Sequence, residues 1–176
     1  QDTCVYSWGG NTIYGLTDGI ATGTDGGSQV WYAYLMFDLT SIPANEVITG
    51  AVLHQYQFLG LSSGYGTNLY RIADIGWSEA DMTWSTRPAE PGGTVQLGYN
   101  PNGGTYGGWS TWDLFGTAAW DPAADQAAGW LSLKLTETRT DGTQTHNWDS
   151  REYADANFRP YLEITTTTVP IPGAVW

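Results

Sequence analysis

The segment Gly60-Leu61-Ser62-Ser63-Gly64 has the Gly-x-Ser-x-Gly spacing of a nucleophile elbow, the strained turn that lifts a serine hydroxyl above an α/β sheet. That chemistry needs a strand before the serine and a helix after it. Here a Gly/Ser loop joins one β-rich run to another, so the spacing reads as a loop. Glu79 and Asp81 supply two carboxyls, and a glycosidase uses such a pair when the groups stand roughly 5 to 10 Å apart. A chain this acidic offers pairs of that kind by chance. His54 falls inside an apolar run and His146 in a polar turn, without a cysteine or further histidine at zinc-ligand spacing. These residues do not point to an enzyme.

Two binding chemistries have more behind them. Asp18, Asp25 and Asp141 sit in or beside turns rich in Gly, Asn or Thr, as do Asp149 and Asp155. In such turns carboxylates and backbone carbonyls can together supply the roughly 6 to 8 oxygens that Ca²⁺ takes. Structural calcium at Asp18, Asp25 and Asp141 is therefore one expectation, although no spacing matches an EF-hand and solvated loop acids are the simpler reading. The second chemistry is aromatic. Tyr99, Tyr106, Trp109, Trp112 and Trp120 crowd the Gly- and Asn-rich stretch 98–121. Exposed rings there would stack on sugar faces or anchor a neighbouring subunit, while Trp109 and Trp112, three apart beside a strand, are also candidates for the core.

Charge narrows the partners. Eighteen acidic against six basic residues give a formal charge of −12, which repels nucleic acid, anionic membrane surfaces and polyanionic sugars at long range. Neutral sugars, cations and self-association remain open. The 176 residues fit one domain with a full core. No apolar run approaches the roughly 20 residues of a spanning helix. Cys4 is the single cysteine, so no internal disulfide forms and packing alone stabilises the chain.

The elements that must position these residues are β-strands. Residues 30–37 form a β-branched and aromatic run closed by Asp38, and 47–58 and 69–75 read as further strands. Leu131, Leu133 and Leu135 alternate with polar residues, and Leu162 and Ile164 repeat that period of two. Glycine-rich joints at 23–27, 60–66, 92–93 and 103–108 punctuate the runs. The expectation is an all-β sandwich of the jelly-roll kind, with at most a turn or two of helix within 114–128, where Gly116 and Pro122 interrupt the pattern.

Three ordered motifs carry a family resemblance. They are residues 31–43, then Trp77-Ser78-Glu79-Ala80-Asp81-Met82-Thr83-Trp84-Ser85-Thr86-Arg87-Pro88, then Ser150-Arg151-Glu152 with Arg159-Pro160-Tyr161-Leu162-Glu163-Ile164. Over about residues 2–165 the chain resembles the DNRLRE domain family. That resemblance implies a jelly-roll-like β-sandwich of secreted and cell-surface proteins, with carbohydrate-binding modules among the relatives and no catalytic residues. Taken as residues, Trp77, Trp84 and Tyr161 offer large apolar surfaces, and Glu79, Arg87, Arg151 and Arg159 suit ion pairs where strands turn. The set reads as structural.

The last residues, Val169-Pro170-Ile171-Pro172-Gly173-Ala174-Val175-Trp176, resemble the opening of a PEP-CTERM sorting signal, with Ile171 in place of the Glu of Pro-Glu-Pro. Together with a start at Gln1, they lead to the expectation of an extracellular or cell-surface protein after signal-peptide removal. Residues 1–165 are then the sandwich and 166–176 an extended tail. The β-branched Thr166, Thr167, Thr168 and Val169 favour extended backbone, and Ile171, Val175 and Trp176 suit apolar pockets on a neighbouring subunit. The reading is a non-enzymatic structural protein that polymerises head-to-tail into a surface layer, matrix or filament; the alternative is a module that binds an extracellular polysaccharide through exposed Trp and Tyr.

Overall fold

Along Val30–Asp38 successive side chains leave the backbone in opposite directions, and both directions are apolar. Ala33, Leu35 and Phe37 enter one packed cluster, Tyr32, Tyr34 and Met36 another. A strand buried on both faces must be central. The computed structural model describes residues 1–26, 29–60, 66–89, 95–101, 106–115, 120–138 and 143–169. Its strands are β1 (Asp2–Tyr6), β2 (Gly19–Asp25), β3 (Val30–Asp38), β4 (Glu46–Leu59), β5 (Thr67–Ile72), β6 (Val95–Asn100), β7 (Gly108–Asp113), β8 (Trp130–Glu137), β9 (Thr143–Asp149) and β10 (Tyr161–Thr168). One helix, α1 (Pro122–Ala128), and a 3₁₀ turn at Ala156–Phe158 complete the described elements.

The pairing is antiparallel throughout and forms one continuous ladder that folds over on itself. Ala33 pairs with Cys4 of β1 on one edge and with Leu135 of β8 on the other, and β8 continues to β5 and β6. These five strands make the first layer. In the second, Leu53 of β4 lies between Leu162 of β10 and Trp112 of β7, while the far end of β4 pairs with β9, and β9 with β2. The layers are joined where β2 meets β3 at Gly23–Trp31 and Thr24–Val30. Between them Leu35, Leu69, Leu97 and Leu133 from the first layer pack on Ile20, Leu53, Trp112 and Trp148 from the second. This is the expected all-β sandwich.

Four strands were not legible in the sequence. Gly19–Asp25, Val95–Asn100, Gly108–Asp113 and Thr143–Asp149 interleave their strand formers with Gly, Asn, Asp or Ser, which are depleted in strands or favour turns, so none makes a continuous β-branched or aromatic run. Pairing on neighbours fixes them as strands all the same. His146 accordingly lies not in a turn but on β9, buried, with Nδ1 2.7 Å from Glu137 Oε1. Pro122 opens α1 rather than breaking it, because the first helical position needs no N–H donor. Asp121 caps that helix and Gly129, at φ 79°, ends it.

Thr166, Thr167 and Thr168 pair with Ile48, Val47 and Glu46 of the chain's own β4, and the Val169 N–H donates to the Asn45 carbonyl. The expected partner for these residues was a neighbouring subunit; the strand that takes them is internal, because β4 runs far enough past Gly50 to pair with all of β10. Ile171, Val175 and Trp176 lie outside the described residues. Among the described residues no helix is long and apolar enough to cross a membrane.

Candidate functional site

The alternation of β7 sends Trp112 into the core and Trp109 to the outer face of the second layer. Beside Trp109 on β4, His54 and Tyr56 project outward between the buried Leu53, Gln55 and Gln57. Tyr161 opens β10 on the other side of β4, opposite His54. The rings meet. Trp109 lies edge-on to Tyr56 at 5.5 Å and to Tyr161 at 5.4 Å, and Tyr161 stacks on His54 at 4.3 Å and 7°. Phe158, from the 3₁₀ turn, extends the row at 4.5 Å from Tyr56. That turn is held by the Asp155 carboxylate, which accepts from the Asn157 N–H, and Arg159 Nε donates to the Tyr153 carbonyl.

The result is a shelf of rings on an open sheet face. Trp109, Tyr56, His54 and Phe158 are half-buried and Tyr161 is 46% exposed. The exposed polar groups beside them on β7 and β10 are Thr111, Asp113 and Glu163, with Glu163 Oε2 3.2 Å from His54 Nε2. Such a face has apolar ring surfaces for the C–H face of a sugar and rim acceptors for its hydroxyls. Its acidic rim opposes an anionic ligand.

The five aromatic residues singled out in the sequence do not form one surface. Trp112 is 2% exposed, edge-on to Trp148 at 5.7 Å. Trp120 is buried too, its Nε1 donating to Asp125 Oδ2 at 2.8 Å. Neither offers a ring face to a ligand; an indole flanked by strands fills the core between layers. Tyr99 is exposed on β6 of the first layer, with its ring against Gly66, where a Cβ would meet it at 2.1 Å. Tyr106 is exposed at the turn before β7. Only Trp109 joins the shelf. His54, Tyr56 and Phe158 were missed, although the alternation His54, Tyr56, Phe58 along a long strand was the available signal.

The opposite outer face is closed. Residues 73–89 lie over it, and Trp77 and Met82 pack on Val5, Tyr34, Met36 and Ile72. Trp77 Nε1 donates to Ser132 Oγ at 2.8 Å. Trp84 leans on Tyr32 at 5.4 Å, and the Arg87 guanidinium sits 3.7 Å over the Trp84 ring while donating to its carbonyl. Glu79 anchors the start of the chain, with Oε2 accepting from the Asp2 N–H and Oε1 paired to Arg151 at 2.7 Å.

Among the described residues, one group of three carboxylates comes within reach of a shared cation: Asp2, Glu79 and Glu152, each offering an oxygen within 4.8 Å of the others. Arg151 bridges Glu79 and Glu152, and its backbone N–H donates to Asp2. Burial pushes the Asp2 carboxyl up to about 7. Asp149, next along, is raised to about 6 by burial and by Asp18. Asp18 is exposed, Asp25 half-buried at the end of β2, and neither falls in this group; Asp141 lies outside the described residues. Asp81 is exposed and Glu79 is tied to Arg151.

Residues 1–166 match the family model of carbohydrate-binding module family 96. The chain belongs to that family. A search of curated proteins finds no match. The family 96 match takes in both outer faces and runs into β10 as far as Thr166. It assigns this sandwich to a class of binding modules, and it favours the polysaccharide reading over the filament.

Proposed function

We propose that this module holds a neutral extracellular polysaccharide across the outer face of its second layer, with Trp109 and Tyr161 as the principal stacking rings and His54, Tyr56 and Phe158 as the flanking surface. The observation that carries the reading is the contiguous row of half-exposed rings on a sheet face that no described segment covers. Three adjacent strands, β4, β7 and β10, each contribute a ring to this face. The formal charge of −12 supports neutral over polyanionic ligands. The resemblance to DNRLRE domains of secreted and cell-surface proteins supports a place outside the cell.

Affinity electrophoresis through gels holding xylan, mannan, mixed-linkage glucan or alginate tests this directly. Retardation by at least one neutral polymer is expected. Trp109→Ala and Tyr161→Ala should each weaken it at least about tenfold, which is about 1.4 kcal/mol, with the fold intact by circular dichroism. Retardation by the polyanion alone, or retardation indifferent to both variants, overturns the proposal.

A further inference from the structure

β2 places small residues, Gly19, Ala21 and Gly23, opposite Asp149, Asn147 and Thr145 of β9. Small side chains in register leave a hollow. It measures about 350 Å³ and is lined by Tyr14, Trp31 and Phe58 together with Thr17, Thr145 and Asn147. Its aromatic walls are fixed from outside. Trp31 stacks on Tyr6 at 4.2 Å and 10°, and Tyr14 meets Trp31 edge-on at 5.1 Å. Phe58 is turned outward where a register shift separates Gln57 from Leu59. Its ring lies so close to β2 that a Cβ on Gly19 would stand 2.9 Å from it.

We infer that this cleft is a second carbohydrate site, one that takes a single neutral pyranose as the end of a glycan chain. The inference rests on the carbohydrate-binding reading of the module but not on the ring shelf. Three observations set the ligand class. Aromatic walls together with hydroxyl and amide groups match the two surfaces of a sugar, its C–H face and its hydroxyl rim. Among the described residues, none that lines the cleft is charged, so a uronate finds no counter-ion among them. The volume is at the lower end of the roughly 300 to 1,000 Å³ of small-molecule sites, room for a ring rather than a chain. Cys4 also lines the cleft, but burial pushes its thiol up to about 12, so it serves as an apolar wall.

Phe58 links the two sites. It follows His54 and Tyr56 at intervals of two along β4, about 7 Å per interval, which places the cleft beyond the shelf on the same strand.

Titration of the ¹⁵N-labelled full chain with the methyl glycosides of glucose, galactose, mannose and xylose, and with glucuronate, separates the possibilities by NMR. At least one neutral glycoside should give saturable shifts at the Gly19, Thr145 and Asn147 amides. Asn147→Ala and Thr145→Val should each weaken that binding about tenfold while the remaining spectrum stays unchanged, and Trp109→Ala should leave it intact. No saturable shift at these amides with any neutral glycoside overturns the inference, as does preference for glucuronate or indifference to both cleft variants. Loss of the cleft alone leaves Trp109-dependent retardation by polymers standing; loss of the shelf alone leaves the cleft titration standing.

Discussion

The two outer faces of the sandwich are made from the same materials and end in opposite states. On the first layer, Tyr32, Tyr34 and Met36 of β3 and Tyr70 of β5 look outward, and residues 73–89 cover Tyr34 and Met36 with Trp77 and Met82. Even a lysine is enclosed there: Lys134 lies 4.1 Å from the Tyr32 ring and 5.8 Å from that of Tyr70, and burial lowers its amine to about 8. On the second layer, His54, Tyr56, Trp109 and Tyr161 look outward in the same alternation and remain half-exposed. An aromatic row on a strand thus belongs to packing or to recognition according to what the connecting segments lay over it. The residue types do not decide.

The largest expected effect breaks this contrast if it is mistaken. Trp77→Ala removes a buried indole and leaves Ser132 Oγ without its donor, and large-to-small changes of this kind cost about 3–5 kcal/mol. Trp109→Ala, on the open face, should cost about 1 kcal/mol or less. Chemical denaturation of both variants beside polysaccharide retardation should give a crossed result, stability lost in the first and binding lost in the second. Equal destabilisation by the two would mean that the second face is packing surface as well.

How much of this was legible follows from which residues lie between strong strand formers. Val30–Asp38 and Glu46–Leu59 are unmistakable because β-branched and aromatic residues fill them, and the two-layer architecture follows from such runs. The ring shelf was half visible. Trp109 was noticed, but its separation from Trp112 depends on both lying in one strand, where a spacing of three puts them on opposite faces. β7, Gly-Trp-Ser-Thr-Trp-Asp, has no apolar run to announce it. The cleft was invisible, since Tyr14, Trp31, Phe58 and Asn147 come from four places that only the pairing of β2 with β9 and β3 brings together.

A smaller effect sharpens what holds the cover in place. Arg151 joins Glu79, in the covering segment, to Glu152, and its backbone binds Asp2 of β1. Its side chain is half-exposed, so Arg151→Ala should cost about 1–2 kcal/mol rather than the larger figure of a fully buried pair. The variant leaves three carboxylates within 4.8 Å without their guanidinium. Millimolar Ca²⁺ should then raise its melting temperature more than that of the wild type. An unchanged melting temperature in Arg151→Ala would show that its ion pairs contribute nothing to holding the cover.

The smallest effect is a pH dependence confined to the covered side. Burial raises the Asp2 carboxyl from 3.8 to about 7, so between those values the folded chain keeps a proton that the unfolded chain has released. A group of this sign stabilises most at acid pH, and its contribution is lost as pH rises through the folded value. Asp149, raised to about 6, acts in the same direction at lower pH. From pH 6 to pH 8 the Asp2 contribution amounts to no more than about 1.4 kcal/mol, a fall of about 3–5 °C in melting temperature for a chain of this length. Asp2→Asn keeps an acceptor for the Arg151 N–H and cannot ionise, so its melting temperature should fall less over this interval than that of the wild type. Polysaccharide binding should be the same in both chains across the interval, because Asp2 and the ring shelf lie on opposite layers. Parallel melting curves for the two chains would show that Asp2 is already ionised in the fold, with the Arg151 N–H and the Gln1 ammonium outweighing the burial that raises it.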